Sequence, residues 1–152
     1  MLIFLDIDGV MVPAKNWEGH TLLVDGFYQF SDKAVNTLRQ FISAETTVIL
    51  TTSHKSRFTV DEWKNIFRNR GLEIENLKKL NEGYNLYISR KDDILVWFSN
   101  NNPTEEFVII DDDKSLNDLP PKLKEKLILT NALIGLTDSH IDKIKSILTI
   151  TP

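Results

Sequence analysis

At 152 residues, 41% hydrophobic and 26% charged, the chain has the size of one ordinary domain and can bury about two thirds of its unfolded surface. It has no cysteine, which excludes a disulfide framework, a thiolate metal site and a cysteine nucleophile and leaves oxygen ligands for any metal. The net charge of −4 argues against a generic nucleic-acid coat, and no run approaches the roughly 18 apolar residues of a membrane span. The apolar start breaks at Asp6, too early for a signal peptide, so a soluble, cytoplasmic, single domain over residues 1–152 is expected.

The first ten residues, MLIFLDIDGV, read as a buried strand that delivers Asp6 and Asp8 to the edge of a sheet. Alternation along an extended chain aims the two carboxylates the same way, and Gly9 lets the chain turn sharply. Two acids held close together repel unless a cation neutralises them or chemistry uses both. A calcium loop is the rival metal reading, but Val10 stands where its third ligand would fall and Trp17 where its bidentate Glu belongs.

Residues 11–30 form an irregular, aromatic-bearing excursion with turn signals at Gly19 and Gly26, expected as a flap. Ser31 caps a helix with Ala34, Val35, Leu38, Phe41 and Ile42 on one face. Thr47 to Thr51 is a second buried strand, and Thr59 with Glu62 forms a capping box for a helix closed by Gly71. A short third strand is expected at Leu72 to Ile74, and Ser89 opens another helix. Phe107 to Ile110 is a strand ending in Asp111, Asp112 and Asp113. Leu127 to Leu129 is a last strand, and Asp138 starts a terminal helix carrying Ile141, Ile144 and Leu148 inward. Alternating strands and helices point to a layered α/β fold.

Ligands of open parallel sheets bind at the carboxyl ends of the strands. Three polar clusters collect there: Asp6 with Asp8, Thr51 to Ser53, and Asp111 to Asp113. One site shared by all three is expected over three unrelated acidic or capping turns. Arg90 and Lys91 fall in the first turn of a helix, where positive charge opposes the helix dipole by about 0.3 to 1 kcal/mol each, so they are candidates for phosphate binding. Between His54 and Lys91, nine Lys and Arg face five acids, leaving this segment at +4 and the remainder at −8. Such a surface suits a phosphorylated substrate, although a merely solvated helix face has the same composition.

The order D-I-D-G-V, an apolar run ending T-T-S, a basic residue opening a helix, and I-I-D-D-D resembles the four motifs of the haloacid dehalogenase (HAD) superfamily. More narrowly, FLDIDGV, RKDDILVWF, FVIIDDD and GLTDSHIDKI resemble the HAD domains of Swiss-army-knife RNA repair proteins. His54 stands where relatives often carry an aromatic residue, and Lys91 where many have glycine. The resemblance implies a Rossmann-like sheet of order 3-2-1-4-5 and Mg²⁺-dependent phosphatase chemistry through an aspartyl-phosphate. Carried over residue by residue, it makes Asp6 the nucleophile, Asp8 the general acid and then base, and Thr51, with Thr52 beside it, the phosphate-binding hydroxyl. Arg90 or Lys91 becomes the third-motif cation. Mg²⁺ would be held by Asp6, the main-chain carbonyl of Asp8 and Asp112, with Asp111 as an adjoining or water-mediated partner.

The intervals of about 35 residues between motifs are used by scaffold helices, so a large cap does not fit and the site is expected to be open. A phosphorylated nucleic-acid end is the substrate favoured by the resemblance and the basic segment. A small phosphometabolite, a phosphoprotein and a non-catalytic binding module are the alternatives.

Overall fold

The structure is a computed structural model that describes residues 1–14, 21–83 and 88–148. Five strands, β1 (Leu2–Leu5), β2 (Thr47–Leu50), β3 (Asn76–Lys79), β4 (Phe107–Asp111) and β5 (Leu127–Leu129), form one sheet of order β3-β2-β1-β4-β5. Every neighbouring pair is parallel. The helices are α1 (Asp32–Arg39), α2 (Val60–Asn69), α3 (Arg90–Asn100), α4 (Pro121–Lys124) and α5 (Ile141–Leu148).

Burial on both faces explains the continuous apolar runs of the central strands, and alternation sorts their side chains into two cores. Ile3, Leu5, Val48, Leu50, Val108 and Ile110 pack with Leu38 of α1, Trp63 of α2 and Ile144 of α5. Phe4, Ile49 and Ile109 face the other way, toward Ile94 of α3, with Leu123 of α4 packed alongside. The Phe4 ring meets Trp97 edge-on at 4.9 Å and Phe98 at 5.2 Å. The result is three layers, α1, α2 and α5 on one face and α3 and α4 on the other.

Ser31 caps α1 through Ala34 N, and the reciprocal box of Thr59 and Glu62 opens α2. The third strand lies at Asn76–Lys79 rather than at Leu72 to Ile74. Leu72 and Ile74 are buried in the connection leading to it. As an edge strand, β3 buries only Leu77 and carries lysines outward, so it lacks the apolar run that marks a central strand.

The excursion at 11–30 is anchored at several of its described residues, while Leu22 and Val24 are exposed. Met11, Val12, Phe27 and Phe30 are buried, and an antiparallel bridge joins Leu22 to Tyr28. Arg70, its side chain 2% exposed, donates to the carbonyls of Phe27, Tyr28 and Ile66 and pairs with Asp25. Trp17 and Gly19 lie outside the described residues. No helix among those residues is long and apolar enough to cross a membrane.

Candidate active site

Asp6 leaves the end of β1 with its amide bonded to the Ile110 carbonyl of β4, so the sheet ladder itself brings the first and fourth motifs side by side. Asp6, Asp111 and Asp112 each place a carboxylate oxygen within 4.8 Å of the others. Asp6 is 3% exposed and Asp111 fully buried. Gly9 makes this approach possible: its φ of +80° suits glycine, and a Cβ there would collide with the Asp112 carboxylate.

Arg90 crosses from the first turn of α3 to these acids. Its Nη1 donates to Asp111 Oδ2 at 2.6 Å and lies 3.4 Å from Asp6 Oδ1. Burial works against the charged guanidinium, but Asp6, Asp111 and the hydrogen bond to Asp111 outweigh it, so the pKa of Arg90 is raised. The cation that opposes the helix dipole is therefore offset by the strand-end carboxylates. Lys91, one residue on, makes no ion pair among the described residues; Arg90 is the basic residue that the fold brings to the carboxylates.

Asp111 is fully engaged. Its Oδ1 accepts from the amides of Asp112 and Asp113 at 2.8 and 3.0 Å, and its Oδ2 accepts from Arg90 and from Thr51 Oγ1 at 3.2 Å. A carboxylate has about four lone-pair sites, and four donors occupy them. Asp111 belongs to the acidic triad by distance, yet it could ligate a metal only by releasing a donor. Asp6 and Asp112 are freer to do so.

The charge of this cluster is under-compensated. Burial, followed by repulsion from Asp111, pushes the Asp6 carboxyl up to about 9 against the lowering effect of Arg90. Burial likewise raises Asp112. An all-oxygen donor set in which the buried Asp6 and the half-buried Asp112 resist ionisation fits a hard divalent cation, which would stabilise their charged forms.

The remaining expected residues are placed differently. Thr51 is buried and directs its single hydroxyl proton to Asp111, so a bond from it to a phosphoryl oxygen requires that hydroxyl to turn. Thr52 is buried and its Oγ1 accepts from the His54 amide at 3.2 Å. Asp8 stands outside the buried carboxylate group, its side chain 55% exposed, and meets His54 Nε2 at 2.7 Å. Lys55, one of the basic residues of the 54–91 segment, pairs with Asp93 at 3.1 Å. The partnership of His54 with Asp8 was not foreseen; its one sequence signal is a histidine placed just after a strand-end polar cluster.

A carboxylate pair after β1, a buried threonine after β2, an arginine at a helix start and an acidic turn after β4 are the parts the four motifs require. The family described as the HAD domain in Swiss Army Knife RNA repair proteins matches residues 2–141. The chain belongs to this family. Comparisons with curated proteins and with solved structures found no match. Membership of the HAD superfamily supports phosphatase-type hydrolase chemistry, and HAD domains generally use Mg²⁺.

Proposed function

We propose that this HAD domain is a Mg²⁺-dependent phosphatase that hydrolyses a phosphomonoester through an aspartyl-phosphate on Asp6. The observation that carries this reading is Asp6 at the end of β1 within reach of both Arg90 and the Asp111–Asp112 pair. Asp6, Asp112 and the main-chain carbonyl of Asp8 would hold the cation. When bound, Mg²⁺ supplies charge neutralisation and Lewis-acid polarisation of a phosphoryl oxygen.

The chain's own residues do the rest. An Asp6 carboxylate oxygen attacks phosphorus while the ester P–O bond breaks, and Asp8 gives its proton to the departing oxygen. Arg90 stabilises charge on the equatorial phosphoryl oxygens, and Thr51 joins it when its hydroxyl turns from Asp111. Asp8, now a carboxylate, takes a proton from the water that cleaves the aspartyl-phosphate, which returns Asp6.

The substrate we propose is a phosphorylated nucleic-acid end, supported by the RNA repair context of the family and by the basic segment 54–91. One observation favours a small phosphometabolite instead: Lys55, Arg68, Arg70 and Arg90 are already engaged with acids of this chain, which thins the free charge of that segment. The test is a screen of phosphomonoesters, from small metabolites to phosphorylated oligonucleotides, with Mg²⁺ and with excess chelator. Turnover that requires both Mg²⁺ and Asp6 supports the phosphatase; no turnover of any ester overturns it.

A further inference from the structure

His54 is fixed before it touches Asp8. Its amide donates to Thr52 Oγ1, and the next residue, Lys55, is tied twice: its carbonyl accepts from Trp63 Nε1 at 2.9 Å and its ammonium pairs with Asp93. The imidazole stands edge-on to Phe27, with ring centroids 6.4 Å apart. Phe27 is itself buried, and Arg70 Nη2 holds its carbonyl at 3.0 Å. Asp8 is the opposite case. Its carboxylate is more exposed than buried and accepts no other hydrogen bond among the described residues. A short Asp side chain at the mouth of a site samples several rotamers unless a partner selects one.

We propose that His54 is a positioning residue that holds Asp8 in the orientation from which it protonates the leaving oxygen. With its hydrogen on Nε2, the imidazole donates to Asp8 Oδ2 and leaves Oδ1 to carry the acidic proton. In the reacting complex the Asp6–phosphorus bond forms, the ester P–O bond breaks, and the Oδ1 proton passes to the departing oxygen while Nε2–H stays on Oδ2. A polar contact this exposed contributes little to stability, so its consequence is orientation, which matters where the proton is needed. Leaving groups that depart as alkoxides need it; a nitrophenolate does not.

This inference rests on the phosphatase reading above, and the experiment separates the two. The parent, His54→Ala and His54→Gln are assayed at saturating Mg²⁺ on p-nitrophenyl phosphate and on an alkyl ester, glycerol 2-phosphate, with melting curves for each. His54→Ala is expected to lower kcat on the alkyl ester about tenfold and on the nitrophenyl ester by less than about twofold, with KM and Tm little changed. His54→Gln, which keeps an N–H donor, is expected to recover most of the loss. Equal losses on the two esters, no loss on either, or a glutamine variant no better than alanine would overturn the role of His54 while the phosphatase stands. A parent that hydrolyses neither these two esters nor any phosphomonoester of the screen above would overturn both.

Discussion

Arg90 and Asp111 form the buried pair around which the site is organised, Nη1 to Oδ2 at 2.6 Å, with the guanidinium 13% exposed and the carboxylate fully buried. The same nitrogen reaches Asp6, so one cation spans the ends of β1 and β4. Removing it with Arg90→Ala leaves two buried carboxylates with less compensation, and breaking a buried pair from one side costs about 3 to 5 kcal/mol. A melting curve should show that loss in the absence of divalent cation and a smaller one in saturating Mg²⁺, which restores positive charge to the cluster. Turnover should remain low in both conditions, because charge on the equatorial oxygens loses its fixed partner.

Asp6→Asn separates chemistry from folding. Burial and the neighbouring Asp111 disfavour the Asp6 carboxylate, so an uncharged amide of the same shape should leave Tm unchanged or raised. Turnover of any phosphomonoester should fall by at least about a thousandfold, as for other nucleophiles acting within a catalytic unit. A variant that retains near-parent activity would remove Asp6 from the mechanism.

Asp111 and Asp112 are adjacent in sequence and should behave oppositely. Asp112→Asn is expected to abolish most of the Mg²⁺-induced rise in Tm, which arises because the cation binds only the folded state. Asp111→Asn replaces one acceptor oxygen by an NH₂ and orphans two of the four donors that Asp111 satisfies. It should cost about 1 to 3 kcal/mol per unsatisfied group and keep a Mg²⁺ response. Calorimetric titration of Mg²⁺ into each variant checks the assignment.

Much of this site was legible in the sequence because apolar strands ending in carboxylates declare both the sheet and its functional edge. Leu2 to Leu5 before Asp6, and Phe107 to Ile110 before Asp111, are such cases. The edge strand Asn76–Lys79 was not, because it buries one side chain and has no apolar run to declare it. Nor were the pairs His54–Asp8, Arg70–Asp25 and Lys55–Asp93, whose members stand 46, 45 and 38 residues apart. No local pattern joins such residues; only the tertiary fold brings them together.

Acid stability should report the Arg70–Asp25 clamp. Hydrogen bonding to Arg70 lowers the Asp25 carboxyl from 3.8 to about 2. A carboxyl depressed in the folded state contributes stability above its unfolded pKa and loses it as pH falls through the folded value. The contribution is therefore whole above about pH 4 and fades toward about pH 2. Asp25→Asn should be less stable than the parent at neutral pH and approach it as the medium is acidified through this window. A constant gap between the two melting curves would place the stabilisation elsewhere.

The nature of the substrate turns on charges the protein leaves free. Arg57 is exposed beside the Phe58 ring and Lys91 is partly exposed, and neither forms an ion pair among the described residues, whereas Lys55 is committed to Asp93. If the rim guides a phosphorylated nucleic-acid end, kcat/KM for an end-phosphorylated oligonucleotide should exceed that for the matched mononucleotide, and added salt should erode the advantage. Arg57→Glu should then weaken the oligonucleotide alone. Lys55→Glu is the wrong probe, since it sets two acids against each other and disturbs the loop that carries His54. Equal efficiency on both substrates at low salt, indifferent to Arg57, would discard the nucleic-acid end in favour of a small phosphometabolite and leave the chemistry at Asp6 intact.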